Sequence, residues 1–175
     1  MKEIKRFRIS RSRFEGFTLI ELLIVIGIIA ILAAATFVAL NPLQRFQDSR
    51  DARRRADLSA ILSAVKVNQV DNGGKYLASI ADDLTFLDGE TRMIGTSASG
   101  CDSVGIACGD VTITETSCVD LTGLKTDGYL GDVPIAPTAV TSYSAAKTGY
   151  TLTKGNIITV QACDSENATE IKLAR

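Results

Sequence analysis

The chain has 175 residues, a length that suits one domain of ordinary size with an accessory segment. Lysine and arginine total 19 and aspartate and glutamate total 20, so the net charge is −1, which argues against a constitutively basic nucleic-acid binder. The absence of histidine excludes Ser-His and Cys-His catalytic pairs and histidine-ligated metal sites. Hydrophobic residues make up 46% of the chain, and many of them lie near its N-terminal end.

A long apolar run, from Phe17 to Leu40, follows a basic N-terminal segment. As a helix, the run would span about 36 Å, enough to cross the hydrocarbon core of a bilayer. A basic flank such as residues 1–16 stays on the cytoplasmic side, so we expect the chain after Leu40 to face outward. A cleaved secretory signal is the less favoured alternative, because such signals have a shorter apolar region.

Two features of this region are unusual for a plain membrane anchor. Glu21 is the single ionisable residue of the apolar run. A lone carboxylate in a membrane helix costs about 2.5–3.5 kcal/mol, so Glu21 is a candidate functional residue. Gly16 lies where the charged segment meets the apolar run, and a glycine lets a protease approach the backbone closely.

The sequence EGFTLIELL at residues 15–23 resembles the processing site of type IV pilins and pseudopilins. The resemblance implies a leader peptide at residues 1–16, cleaved by prepilin peptidase between Gly16 and Phe17, with methylation of the new N-terminus of Phe17. It implies a structural subunit, not an enzyme, that the inner-membrane pilus assembly machinery polymerises with other copies into a type IV pilus. The alternative from the same motif is a pseudopilin of a type II secretion or DNA-uptake (competence) system. An enzyme or receptor anchored by an uncleaved helix is a third interpretation.

Polymerisation is expected to depend on the N-terminal helix. Cleavage would leave a cationic amine on Phe17, and Glu21 of a neighbouring copy is its expected partner, because each charge offsets the desolvation of the other. Gly27, Ala30 and Ala34 recur at helical spacing and predict a small-residue face for helix packing, with simple lipid exposure as the alternative. The protein would lie in the cell membrane before assembly and in an extracellular pilus afterwards.

Residues 41–74 are predicted to continue the helix as an amphipathic segment. Pro42 is expected to end or kink the apolar stretch, and the sequence Asn-Gly-Gly at 72–74 to stop the helix. Asp51 and Arg55 are predicted to pair at i, i+4. An apolar stripe for packing a domain is expected at Leu58, Ile61, Leu62 and Val65.

This segment is also rich in arginine. Residues 41–74 hold six basic and four acidic side chains, net +2, whereas residues 75–175 hold seven basic and thirteen acidic ones, net −6. A solvated face near lipid headgroups, or contacts to acidic neighbours, is the favoured interpretation, and nucleic-acid binding is an open alternative. The basic residues are Arg45, Arg50, Arg53, Arg54 and Arg55.

Residues 75–175 are predicted to form a globular, β-rich head. Strand-forming residues between turn signals predict four strands, at Val111–Thr116, Tyr150–Thr153, Ile157–Ala162 and Thr169–Leu173. We expect an antiparallel sheet packed against the second half of the long helix, an α+β fold. This architecture resembles the type IV pilin fold.

Four cysteines on the exported side predict two disulfides with three connectivities, of which Cys101–Cys108 and Cys118–Cys163 is favoured. A zinc site is less favoured, because the spacings match no common zinc motif.

Several aspartates suggest calcium, but they lack EF-hand spacing, so no metal or cofactor is expected and calcium is an unsupported alternative. The triplet at 167–169 matches a glycosylation sequon, a pattern frequent by chance. No catalytic constellation is recognisable. The aspartates are Asp82, Asp83, Asp88, Asp127 and Asp132.

Overall fold

The computed structural model describes residues 16–81, 86–101, 108, 111–113, 116–137 and 142–175. The chain divides into two compact units, Met1–Pro42 and Leu43–Arg175. Residues 1–15, most of the predicted leader, lie outside the described residues.

The described part of the first unit is dominated by helix α1, Leu19–Leu40. The predicted apolar helix is thus present, but it begins at Leu19, because Thr18 caps its first turn. The segment contains a window with a mean hydropathy of 2.9, apolar enough to cross a membrane. No residue of α1 is buried by the residues that the structure describes, so the helix presents an apolar surface along its whole length.

The second helix, α2, comprises Pro42–Asp71. Asn41 separates the two helices and adopts a left-handed conformation with φ of 38°. Pro42 suits the first position of α2, because proline has no N–H to leave unpaired there. At the other end, Gly73 with φ of 66° and Gly74 with φ of 92° stop α2 where the sequence predicts.

The second unit contains a four-stranded antiparallel sheet, with strands in the order β1-β2-β3-β4. Two short helices, α3 at Ala78–Ala81 and α4 at Thr122–Thr126, lie before and after β1 in the chain. The strands are β1 Thr91–Met93, β2 Tyr150–Thr153, β3 Thr159–Ala162 and β4 Lys172–Ala174.

Two of the four predicted strands are shifted or shortened, one matches, and one is wrong. β2 has the predicted bounds, whereas β3 and β4 begin later than predicted. The described part of the predicted strand Val111–Thr116 belongs to no strand of the sheet, and residues 114 and 115 lie outside the described residues. Instead, β1 occupies the edge next to β2, in the register Arg92 opposite Leu152.

The core lies between α2 and the sheet. The predicted stripe of α2 is buried, and Leu58 and Ile61 are fully inaccessible to solvent. They belong to one cluster with Leu152 of β2 and Val160 of β3. Burial of these side chains contributes about 1.5–3 kcal/mol each. This packing confirms the predicted α+β class.

All four cysteines form disulfides, but the predicted pairing is wrong: the bonds join Cys101 to Cys118 and Cys108 to Cys163. The chain at 97–101 runs against residues 116–118, where the Cys101 N–H donates to the Thr116 carbonyl at 2.7 Å. This pairing places Cys101 opposite Cys118, with their Cα atoms 5.5 Å apart. A partner distant in sequence is therefore favoured over the near neighbour.

Candidate processing and assembly site

The predicted cleavage site lies just before α1, and its side chains are open to solvent. Gly16 and Phe17 are exposed, and no described atom lies within 4 Å of the position that a Cβ on Gly16 would occupy. Thr18 has extended backbone angles, φ −79° and ψ 151°. The described part of the junction, Gly16 to Thr18, is therefore exposed and outside the helix.

Glu21 takes part in a capping box with Thr18. The Thr18 backbone N–H and hydroxyl donate to Glu21 Oε2 at 3.1 and 2.9 Å, and the Glu21 N–H donates to Thr18 Oγ1 at 3.2 Å. These bonds satisfy backbone donors that would otherwise be unpaired in the first turn. The Thr-x-x-Glu spacing is a known sequence signal for this motif.

The capping box uses only one carboxylate oxygen of Glu21. Oε1 accepts no hydrogen bond from the residues that the structure describes. Glu21 can therefore cap its own helix and still accept a hydrogen bond from a positive group on another molecule. The predicted partner, the amine of Phe17 in a second copy, is not present in a single chain.

The predicted small-residue face lies on α1. Gly27, Ala30 and Ala34 occur at i, i+3 and i+7 and are all exposed. No described atom lies within 4 Å of the position that a Cβ on Gly27 would occupy. Close approach of another helix to this face is therefore sterically open.

A second group of charged side chains lies in the first half of α2, and the sequence did not predict that they contact one another. The Asp51 carboxylate is 1% exposed and accepts hydrogen bonds from three consecutive backbone N–H groups, those of Glu166, Asn167 and Ala168, at distances of 2.9–3.3 Å. It also accepts a bond from Arg54 Nη1 at 2.6 Å. Asp51 thus holds the loop before β4 against α2.

Arg54 completes this group, which we call the α2 clamp: Arg50, Asp51 and Arg54 of α2 together with residues 166–168. Arg54 is 2% exposed, and its Nη2 donates to Pro137 O at 2.6 Å and to Glu166 Oε1 at 2.9 Å. Arg50 Nε donates to the same Glu166 oxygen at 2.6 Å. Each buried charge therefore has a charged partner, as burial requires.

The α2 clamp keeps its carboxylates ionised. Burial disfavours the charged form of Asp51, but the N–H donors of Asn167, Ala168 and Glu166, with Arg54, outweigh it and lower the pKa of Asp51. The hydrogen bond from Arg50 is the main cause that lowers the pKa of Glu166, and Arg54 adds to it.

The ion pairs of the α2 clamp differ in part from the predicted ones. Asp51 pairs with Arg54, not with Arg55 as predicted, because Arg54 lies on the face that the head covers. For the five arginines a solvated face or contacts to acidic neighbours were expected, and Arg50 and Arg54 bind the acidic Glu166. Arg45 and Arg55 are exposed and have no ion-pair partner among the described residues.

Asn167 of the predicted sequon also takes part in these contacts. Its Nδ2 donates to Asp48 Oδ1 at 2.8 Å and to Gln44 O at 3.3 Å. The Asn167 side chain therefore extends the contact between the loop and α2 to the first two turns of the helix.

The aspartates considered for the unsupported calcium alternative are only partly described. Asp82 and Asp83 lie outside the described residues. Asp132 accepts a hydrogen bond from Lys125 Nζ at 3.1 Å instead. The described residues include no group of three or more acidic or cysteine side chains placed to hold a metal ion.

Residues 11–37 match a family model described as the prokaryotic N-terminal methylation motif. This motif is the processing signal of type IV prepilins and pseudopilins. Together with the α+β fold, which is consistent with the type IV pilin fold, it indicates a precursor of the type IV pilin-like or pseudopilin class. In the same comparisons, no curated protein and no solved structure matched the chain.

Proposed function

We propose that this protein is the structural subunit of a type IV pilus and polymerises through α1 after prepilin peptidase cleaves between Gly16 and Phe17. The observation that carries the proposal is the surface of α1, which is apolar and in which no residue is buried by the described part of the chain. Lipid covers this surface before assembly. Outside lipid, each square ångström of exposed apolar surface costs about 25 cal/mol, so only other copies of α1 can stabilise the helix.

The charged groups at the start of α1 set the register of the polymer. The amine of Phe17, created by cleavage, binds Glu21 of a neighbouring copy, whose Oε1 accepts no bond from the described residues of its own chain. Such an attraction is strong only where the effective dielectric is low, as it is within an apolar bundle. Gly27, Ala30 and Ala34 give neighbouring helices room to approach.

The proposal includes the partners and locations that this assembly requires. The precursor lies in the cell membrane with its N-terminus in the cytoplasm, where prepilin peptidase and the inner-membrane assembly machinery act on it. The mature protein forms an extracellular pilus with copies of itself. We propose no catalytic role and no cofactor.

A pair of single substitutions tests the role of Glu21. Glu21→Ala removes the carboxylate and the two bonds that it accepts from Thr18, but keeps the bond from the backbone N–H of residue 21 to Thr18 Oγ1. The matched control Thr18→Ala removes the capping hydroxyl and keeps the carboxylate. We expect both variants to be cleaved, and only Glu21→Ala to lose surface filaments in electron micrographs. Equal loss in both variants would mean that Glu21 acts through the cap, and normal filaments from Glu21→Ala would refute the pairing.

Filament length distinguishes a pilus subunit from a pseudopilin, the alternative function. A pilus subunit is recovered in long filaments sheared from the cell surface. A pseudopilin of a type II secretion or competence system is cleaved in the same way, but wild-type cells would release no long filaments. That second result would replace the proposed pilus by a pseudopilus.

A further inference from the structure

Two large apolar side chains at the start of α2 are left uncovered. Leu43 is 66% exposed and Phe46 is 64% exposed. They lie at i, i+3 and therefore on one face of the helix. Five full turns (18 residues) further along, this face carries Ile61 and Ala64, both of which are buried. Leu43 and Phe46 thus extend the buried face of α2 beyond the head.

The head reaches this part of α2 without covering the two side chains. Asn167 contacts the Gln44 carbonyl and the Asp48 carboxylate, on either side of Phe46 in the sequence. Leu43 and Phe46 nevertheless stay exposed among the described residues. Another surface must therefore cover them if they are to be shielded from water.

The position of these side chains along the chain identifies that surface. Helix α1 has 22 residues and is about 33 Å long, close to the hydrocarbon thickness of about 30 Å. Leu40 then lies near the edge of the hydrocarbon, and a chain of three residues places Leu43 within about 11 Å of it at any angle between the helices. The headgroup layer on each side is about 5–8 Å thick. Leu43 therefore lies in or next to that layer.

Arg45 supplies the charge that suits a phospholipid headgroup. It is exposed and has no partner among the described residues, whereas Arg50 and Arg54 are held in the α2 clamp. A guanidinium binds phosphate oxygens with directed hydrogen bonds. Apolar side chains flanking a free arginine are a combination found in segments that lie at a membrane interface.

We propose that the first turns of α2 are a membrane-interface anchor, in which Leu43 and Phe46 insert between headgroups and Arg45 binds a lipid phosphate. The partner is the phospholipid layer on the outer side of the membrane that α1 crosses. The anchor holds the unassembled subunit with its α2 clamp close to the membrane surface. This inference rests on the part of the proposed function that places α1 in the membrane.

The chain contains no tryptophan, so a single introduced tryptophan reports on its own position. The full chain is reconstituted at low protein density in vesicles of phosphatidylethanolamine and phosphatidylglycerol. The quenchers are lipids brominated at the headgroup end of the acyl chain, for position 46, or at its methyl end, for position 32. The reporting variant is Phe46→Trp. The matched control is Val70→Trp, which replaces a side chain 75% exposed on the same helix. It lies about 36 Å further along α2. A third variant, Leu32→Trp, reports whether α1 is in the bilayer.

We expect the brominated lipids to quench the Phe46→Trp and Leu32→Trp variants and to leave the Val70→Trp variant unchanged. Adding Arg45→Gln should abolish any preference of the Phe46→Trp variant for brominated phosphatidylglycerol over brominated phosphatidylethanolamine. Quenching of Leu32→Trp without quenching of Phe46→Trp would overturn the anchor and leave the membrane helix intact. Quenching of neither would overturn both. A Phe46→Trp side chain shielded from aqueous acrylamide, but not quenched by lipid, would mean that a second copy covers this face, and would overturn the anchor.

Discussion

The α2 clamp gives the sharpest stability prediction, which concerns Asp51. Asp51→Ala removes an acceptor that binds three backbone N–H groups and Arg54. Arg54 is 2% exposed, so the substitution leaves a buried guanidinium with fewer charged partners. Removing one partner of a buried ion pair costs about 3–5 kcal/mol. We expect the free energy of unfolding to fall by about that amount.

The matched control is Asp48→Ala. Asp48 is exposed and accepts one bond from the Asn167 side chain, so its loss should cost no more than about 1 kcal/mol. Both variants are unfolded with urea as full chains in detergent micelles, and the near-ultraviolet circular dichroism of the tyrosines reports on the head. A midpoint for Asp51→Ala no lower than that for Asp48→Ala would refute the role assigned to the α2 clamp.

A second substitution tests why Asp51→Ala should lower the free energy of unfolding. If the loss arises from the stranded charge of Arg54, then Arg54→Met should restore part of the stability of Asp51→Ala. Coupling between contacting residues of this kind is about 0.5–3 kcal/mol. Simple addition of the two losses would show instead that Asp51 and Arg54 act independently.

Three further predictions concern the second unit. Because the pKa values of Asp51 and Glu166 are lowered on folding, their stabilisation is complete above the ordinary carboxyl range of about 4 and is lost as the pH falls below it, which urea unfolding at a series of pH values would show. Gly149→Ala should lower the melting temperature more than Gly155→Ala, because Gly149 has φ of 78° and its Cβ would lie 2.6 Å from the Tyr143 ring; equal melting temperatures would contradict this account. Peptide mapping without reduction should recover two cross-linked pairs, and either predicted pair would contradict the structure. The expected pairs are Cys101–Cys118 and Cys108–Cys163.

The features that could be predicted from the sequence are those encoded by neighbouring residues. The processing junction, the apolar helix and the glycines that end α2 each depend on a short stretch of sequence. The buried stripe of α2 followed from the helical period, because Leu58 and Ile61 lie one turn apart. The Thr18–Glu21 capping box belongs to the same kind and could have been found from its spacing.

The features that could not be predicted depend on residues that only the fold brings together. Glu166 and Arg54 are far apart in the sequence, and nothing near either one indicates the other. Strand β1 could not be predicted for the same reason. Arg92 of this strand packs against Phe86, and the centroid of the Phe86 ring lies 4.6 Å from the guanidinium carbon. An arginine in a three-residue segment carries no local strand signal, so β1 was missed.

The most direct test of the account is the mass of the intact mature chain recovered from sheared cell-surface material. We predict a chain that begins at Phe17, carries one methyl group on its N-terminal amine and is recovered in polymeric form. A chain that still contains residues 1–16, or one recovered as a soluble monomer with α1 attached, would contradict the central claim that cleavage releases an apolar helix for assembly with its copies.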